Sequence, residues 1–168
     1  PRRARGRMVR GVLRRTRGAR TEALADFAAA APYLSGRPGR LLRGQWASTL
    51  VSTGEPAKAL AMFDAVITES EAAGNQVDTL GLRSDRALIL RMIGRREEGI
   101  ACMEATLTQA QTLGVSLPPL PLNLCLEYIV TGQLKKARAL LADSEATVAG
   151  SIDPVSYTHL RAHETVRN

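Results

Sequence analysis

Four glycines recur along the chain at nearly constant spacing, and this recurrence limits the possible folds more than any other feature of the sequence. They are Gly18, Gly54, Gly94 and Gly132, and successive members are 36, 40 and 38 residues apart. Periods of about 20 to 50 residues are typical of repeat proteins. Each glycine follows one helical pattern and precedes another, so each can adopt a positive φ and end the first helix. The sequence therefore predicts a series of helix pairs joined by glycine turns.

Two more columns of residues keep the register of the glycines. Five positions after each glycine stands a small residue, namely Ala23, Ala59, Gly99 and Ala137. Nine positions after each stands a large apolar residue, namely Phe27, Phe63, Met103 and Leu141. The small residue allows two helices to approach closely, and the large one fills the space between them. Because one amphipathic helix cannot bury its apolar stripe alone, we expect stacked pairs that form a solenoid.

These columns resemble the motif of the tetratricopeptide repeat (TPR) family. The second unit carries it best, with Trp46, Ala47, Leu50, Gly54, Ala59 and Phe63. The fourth unit has Leu124, Cys125, Tyr128, Gly132, Ala137 and Leu141, whereas the third has Arg86 at a packing position. The resemblance covers residues 10–150 and implies an all-α fold, a TPR-like α-solenoid of antiparallel helix pairs wound into a right-handed superhelix. In the first unit an arginine-rich helix occupies the place of a core helix, so that unit is expected to be incomplete or displaced.

The long repeat period is similar to that of the repeats in large bacterial regulators of the MalT type. This resemblance implies a non-catalytic scaffold for protein–protein contacts, or for sensing a peptide or ligand, within a larger cytoplasmic transcriptional regulator. An ATPase domain and a DNA-binding helix-turn-helix flank the repeats in such regulators. The phosphate-binding pattern G-x-x-x-x-G-K-[ST] does not occur in the sequence.

In TPR proteins the first helix of each pair lines a concave groove, and the resemblance assigns candidate groove residues on that basis. They are Ser48, Val51 and Ser52 in the second unit, Ser84, Leu88 and Arg91 in the third, and Leu126 and Ile129 in the fourth. The set is mixed and rather apolar, which favours a protein or peptide partner over a polyanion.

Positive charge is concentrated at the start of the chain. The segment 1–20 contains nine arginines and no acidic residue, whereas residues 21–153 carry a net charge of −3. We therefore divide the chain into a basic segment at 1–20, helical repeats at 21–150 and a tail at 151–168. An alternative function is nucleic-acid binding, which would have to act through Arg2–Arg20, although no aromatic residue is interleaved with the arginines.

The tail differs in composition from the repeats. Its string VSYTHLRAHET resembles translated linker DNA, so the tail is interpreted as non-native and is excluded from the fold. It contains both histidines, His159 and His163, whose spacing could place two metal ligands on one helix face. No further ligand stands at motif spacing, so we expect no metal site.

The repeats offer little for catalysis, and we predict neither an enzyme nor a cofactor. Without a histidine in residues 21–153, no imidazole is available there to activate Cys102 or Cys125, and both are interpreted as small core residues. Trp46 could be a stacking platform, but its motif position favours the core. The longest apolar runs are too short to span a membrane. The sequence does not indicate an oligomeric state.

Overall fold

The structure, a computed structural model, describes the backbone of residues 2–151 and the side chains of residues 2–144. The chain divides into two compact units after Ser116. The first unit contains six helices, α1 (Arg2–Thr16), α2 (Arg20–Ala30), α3 (Gly36–Ser52), α4 (Pro56–Ala72), α5 (Gln76–Met92) and α6 (Arg96–Thr112). The second unit contains α7 (Pro119–Val130) and α8 (Leu134–Ser151). No strand occurs within residues 2–151, so the all-α prediction is confirmed.

The four repeating glycines adopt the backbone conformation that their spacing predicts. Gly18, Gly54, Gly94 and Gly132 have φ values of 81°, 84°, 86° and 74°. The same two hydrogen bonds close each turn. In the second pair, the N–H of Glu55 donates to the carbonyl of Leu50 at 2.9 Å, and that of Gly54 to Val51 at 3.2 Å. This is the Schellman arrangement, which satisfies carbonyls left free at a helix end.

Close helix contact at the small-residue column builds the core of the first unit. Ala23, Ala59 and Gly99 are all buried, and a Cβ on Gly99 would lie 3.0 Å from the carbonyl oxygen of Ala87. The large residues Phe27, Phe63 and Met103 are fully inaccessible to water. Both columns therefore have the packing role that the repeat pattern predicts for them in this unit.

Arg86 does not occupy the core, although it stands at a packing position of the motif. Its Nε donates to Asp64 of α4 at 2.7 Å. Arg86 is half-buried, and an arginine at such a position can place its aliphatic stem on the protein surface while its charged end reaches a partner near water. Trp46, by contrast, is partly buried and packs on two apolar clusters of the unit, in agreement with its predicted core position.

The arginine-rich start forms a regular helix that packs on α2. Ala4 and Gly11 are buried at this contact, and Gly11 lies against the ring of Phe27. Arg10 and Arg14 both bind the buried carboxylate of Asp26 on α2, with N–O distances of 2.5 and 2.7 Å. Helix α1 thus completes a first helix pair, although few of its residues are apolar.

In the second unit α7 and α8 pack against each other, and the thiol of Cys125 lies 3.9 Å from the carbonyl oxygen of Ala137 on α8. Leu124, Cys125, Tyr128 and Ala137 are all buried. The prediction that Leu141 fills the helix contact is wrong, because its residue surface is 46% exposed. Within this unit, α7 is the helix that packs on α8. A repeat column specifies a buried residue only where a neighbouring helix covers that side.

Candidate functional site

Helices α1, α3 and α5, the first helices of three successive pairs, lie side by side in the first unit. We call these three helices the first-helix layer. Five large apolar side chains are exposed within the six α-helices of the first unit, and all belong to this layer: Val9, Leu13, Leu41, Val77 and Met92. Among described residues of that unit, α2, α4 and α6 expose none, and Tyr33 and Leu113 are exposed outside the α-helices. The first-helix layer is therefore the candidate interaction surface of this unit.

The groove residues predicted in the first unit all lie in this layer. On α3, Ser52 is exposed and Ser48 and Val51 are half-buried. The two serine hydroxyls donate to carbonyls of their own helix, Ser48 to Gly44 at 3.1 Å and Ser52 to Thr49 at 2.8 Å. Their oxygens therefore remain available mainly as acceptors.

The three candidates on α5 have comparable exposure. Ser84, Leu88 and Arg91 are each half-buried. Val51 on the neighbouring helix also packs on the main apolar cluster, so it contributes to the core as well as to the surface.

Leu126 and Ile129 belong to the second unit, where both are exposed on α7 at 47% and 49%. Leu122 and Val130 are exposed on the same helix. Residues spaced by three or four positions share one helix face, so α7 presents an apolar stripe of its own. This stripe is a separate candidate surface.

A polar row that was absent from the predicted groove crosses the first-helix layer. Arg15 of α1 donates to the side-chain oxygen of Gln45 on α3 at 3.1 Å. Asp85 of α5 lies within electrostatic range of Arg15. Gln45 and Asp85 stand three residues before Ser48 and Leu88, respectively. Because residues three positions apart share a helix face, extending the predicted groove by one turn towards the start of each helix would have included them.

Protein atoms around Asp85 limit the hydration of its carboxyl group, although part of the residue is exposed. Desolvation raises the pKa of Asp85, and the positive charge of Arg15 acts in the opposite direction. Asp85 forms no hydrogen bond or close ion pair with any residue that the structure describes. It is thus a carboxyl group of the first-helix layer without a close partner among the described residues.

The described side chains contain no cluster of three or more His, Cys, Asp or Glu residues that could hold a metal ion. Cys125 is buried and Cys102 half-buried, and both are free thiols. His159 and His163 lie outside the described residues. Among the described helices, none is both long and apolar enough to cross a membrane.

Comparison with solved structures identifies the fold class as TPR-like helical repeats. The chain is similar to a protein of nearly identical TPR-like repeats, assigned to a kinesin light chain of Podosopora anserina, with a TM-score of 0.72 and 18% sequence identity. The alignment covers 90% of this chain and 78% of that one. A single-substitution variant of the same protein aligns with the same TM-score and identity over 77% of its length. No family model matches the sequence, and no curated protein matches it either.

Proposed function

We propose that the chain is a non-catalytic interaction scaffold that binds a protein segment, an extended or helical peptide, along its first-helix layer. The observation that carries this proposal is the confinement of exposed apolar helix residues in the first unit to α1, α3 and α5. A peptide laid across these helices would bury that surface, while Arg15, Gln45 and Asp85 would contact its polar groups. TPR-like folds commonly act as protein-binding scaffolds, which supports the same conclusion.

Selection from a random-peptide phage library tests the proposal on the whole chain. The strongest selected peptide is then titrated against variants in which one exposed apolar residue becomes charged. Leu41→Glu and Met92→Glu place the charge on the first-helix layer. Each should weaken binding about tenfold or more, since replacing a central apolar contact typically costs more than about 1 kcal/mol.

Leu113→Glu is the matched control, because Leu113 is an exposed apolar residue of the same unit that follows α6. It should leave the affinity unchanged. Ser48→Ala and Ser52→Ala should reduce affinity modestly if the predicted groove residues contact the peptide. Selection of no peptide, or equal losses in Leu113→Glu and Met92→Glu, would contradict the proposal.

We also propose, from the resemblance of the repeats, that this scaffold is part of a larger cytoplasmic regulator of the MalT type. The test is the gene itself. Reading the coding sequence on both sides of this chain should reveal an ATPase domain before the repeats and a helix-turn-helix after them. Flanking sequence of another kind would overturn this assignment and leave the peptide-binding proposal untouched.

A further inference from the structure

The arginines of α1 fall into two groups with different surroundings. In the C-terminal half, Arg10 and Arg14 share the carboxylate of Asp26. In the N-terminal half, Arg2, Arg3 and Arg5 form no hydrogen bond or ion pair with any described residue. Among the described residues, the repeat fold therefore supplies a paired carboxylate to the C-terminal half of the helix and none to Arg2, Arg3 and Arg5 in the N-terminal half.

The N-terminal half lines a cleft of about 800 Å³. Its walls are formed by Arg2, Arg3, Ala4 and Arg7 of α1 together with Tyr33. Tyr33 ends the short 3-10 helix (Ala31–Tyr33) that follows α2, and 67% of its surface is exposed. The sequence pattern showed no aromatic residue among the arginines, but the fold brings one beside them from a position 26 residues after Arg7.

The segments that carry the cleft residues are packed against an apolar cluster, although the charged side chains face water. Ala4 is buried in the apolar cluster that α1 shares with α2 and α3. Ala31 and Leu34, on either side of the tyrosine, pack against the same cluster. Arg7 donates to the carbonyl of Ala29 at 3.3 Å, which directs this side chain towards the end of α2. The tyrosine ring and the three guanidinium groups therefore project from segments that pack on the same apolar cluster.

We propose that this cleft, formed by Arg2, Arg3, Arg7 and Tyr33, binds a segment of single-stranded nucleic acid. Guanidinium groups without counterions attract phosphates and release condensed ions from the strand. An exposed tyrosine ring beside them supplies a stacking surface for an unpaired base. An acidic peptide would use the arginines alone, and a duplex keeps its bases stacked, so neither uses the whole set of groups.

Fluorescence anisotropy of a labelled oligothymidylate of about 15 nucleotides, a length typical of single-strand sites, measures the binding. Tyr33→Leu should weaken it about tenfold, since stacking of a base on an aromatic ring is a main contribution to single-strand binding. Tyr33→Phe keeps the ring and should retain the affinity. Loss of affinity in both variants with unchanged circular dichroism would overturn the stacking role.

The charge contribution has its own matched pair of variants. The double variant Arg2→Gln/Arg3→Gln removes two charges from the cleft, whereas Arg17→Gln/Arg20→Gln removes two exposed charges outside it. Each phosphate contact on a single strand contributes about 0.7 to the steepness of the plot of log affinity against log salt. Removing two contacts in the first variant should therefore reduce that steepness by about 1.4. The second variant should change the steepness little.

Competition identifies the partner. A polyglutamate peptide and a DNA duplex of the same length should compete less well than the single strand, and Tyr33→Leu should not alter their binding. Equal effects of the two double variants would indicate diffuse attraction and overturn the cleft. Binding of polyglutamate as tight as that of the oligonucleotide, or no oligonucleotide binding at about 50 mM salt, where such contacts are strong, would overturn the proposal as well.

Discussion

The first two helix pairs use the same turn and nearly the same backbone, yet different chemistry holds them together. Positions 36 residues apart correspond. Where the second pair has Trp46, Leu50 and Met62 in or against its apolar cluster, the first has Arg10, Arg14 and Asp26. The first pair thus replaces an apolar contact with a carboxylate shared by two arginines.

The aromatic residue of the repeat is retained in both pairs, but its neighbours differ. Phe63 lies in a cluster with Leu60, Val66 and Ile67, whereas the buried residues that the first pair itself adds to the cluster of Phe27 are alanines. The buried apolar side chains of the first pair are therefore smaller, and apolar burial is the main favourable term in folding. A repeat position can therefore change from apolar to charged when the residue that it contacts changes as well.

Phe63→Ala should have the largest effect on stability. It removes a side chain that is fully buried in the second pair and leaves a cavity, which typically costs about 3 to 5 kcal/mol. Urea unfolding followed by circular dichroism measures the loss, with Leu113→Ala as an exposed control. A loss no greater than that of Asp26→Asn would mean that the apolar cluster of the second pair does not dominate.

Asp26→Asn should lower the free energy of unfolding by about 2 kcal/mol, the usual range for hydrogen bonds to charged groups. Its arginine partners remain partly exposed, which limits the loss. Glu22→Gln on the same helix is the control, because Glu22 is an exposed carboxylate in the first turn. A double-mutant cycle with Arg14→Gln should show a coupling energy between positions 14 and 26.

The Asp26 carboxylate should also make the stability of the protein depend on pH. Hydrogen bonds from Arg10, together with the charges of Arg10 and Arg14, hold the pKa of Asp26 below its ordinary value. A lowered pKa in the folded state contributes stability that is fully present above the unfolded pKa of about 3.9 and is lost as the pH falls through the folded pKa. The difference between the wild type and Asp26→Asn should therefore be constant near neutral pH and shrink in acid. A difference that grows in acid would contradict this assignment.

Gly11→Ala tests the close approach of α1 to α2 and should have the smallest destabilising effect. An added Cβ would lie 2.6 Å from the ring of Phe27, so the ring must shift. Alanine at an open helical position is better than glycine by about 1 kcal/mol. We expect a net loss of about 1 kcal/mol, because the cost of overpacking exceeds that gain.

Gly6→Ala is the matched control for Gly11→Ala, because nothing lies within 4 Å of the added atom on the same helix. It should stabilise the protein slightly. A gain from both substitutions in thermal melts would show that the first pair is packed loosely.

The helices, their turns and the core columns of the first unit could be predicted because they depend on residues close together in sequence. A glycine at a helix end and an apolar residue every three or four positions act locally. The Asp26 network could not be predicted in this way, because each arginine alone is an ordinary surface residue. Only the packing of α2 on α1 brings the carboxylate to Arg10 and Arg14.

The candidate sites follow the same division. The motif places Ser48, Ser52 and Leu88 on the first helices, and their contact with a partner stays a prediction. Tyr33 was missed because its position beside Arg2 depends on the turn after α2, which carries no repeat signal. Leu141 was assigned to the core incorrectly because burial depends on a covering helix, which the periodicity of α8 alone cannot specify.

The short glycine turns also have a consequence for the order of folding. Each glycine turn reverses the direction of the chain within a few residues. The main contacts of every helix in the first unit are therefore with the helices next to it in sequence. Proteins with such local contacts fold quickly, since little loop entropy is lost before a contact forms. In a repeat array folding can begin at any pair and spread to the next. The α3/α4 pair, whose apolar cluster also includes residues of α5, is the expected starting point, and the arginine-bearing pair is added to it afterwards.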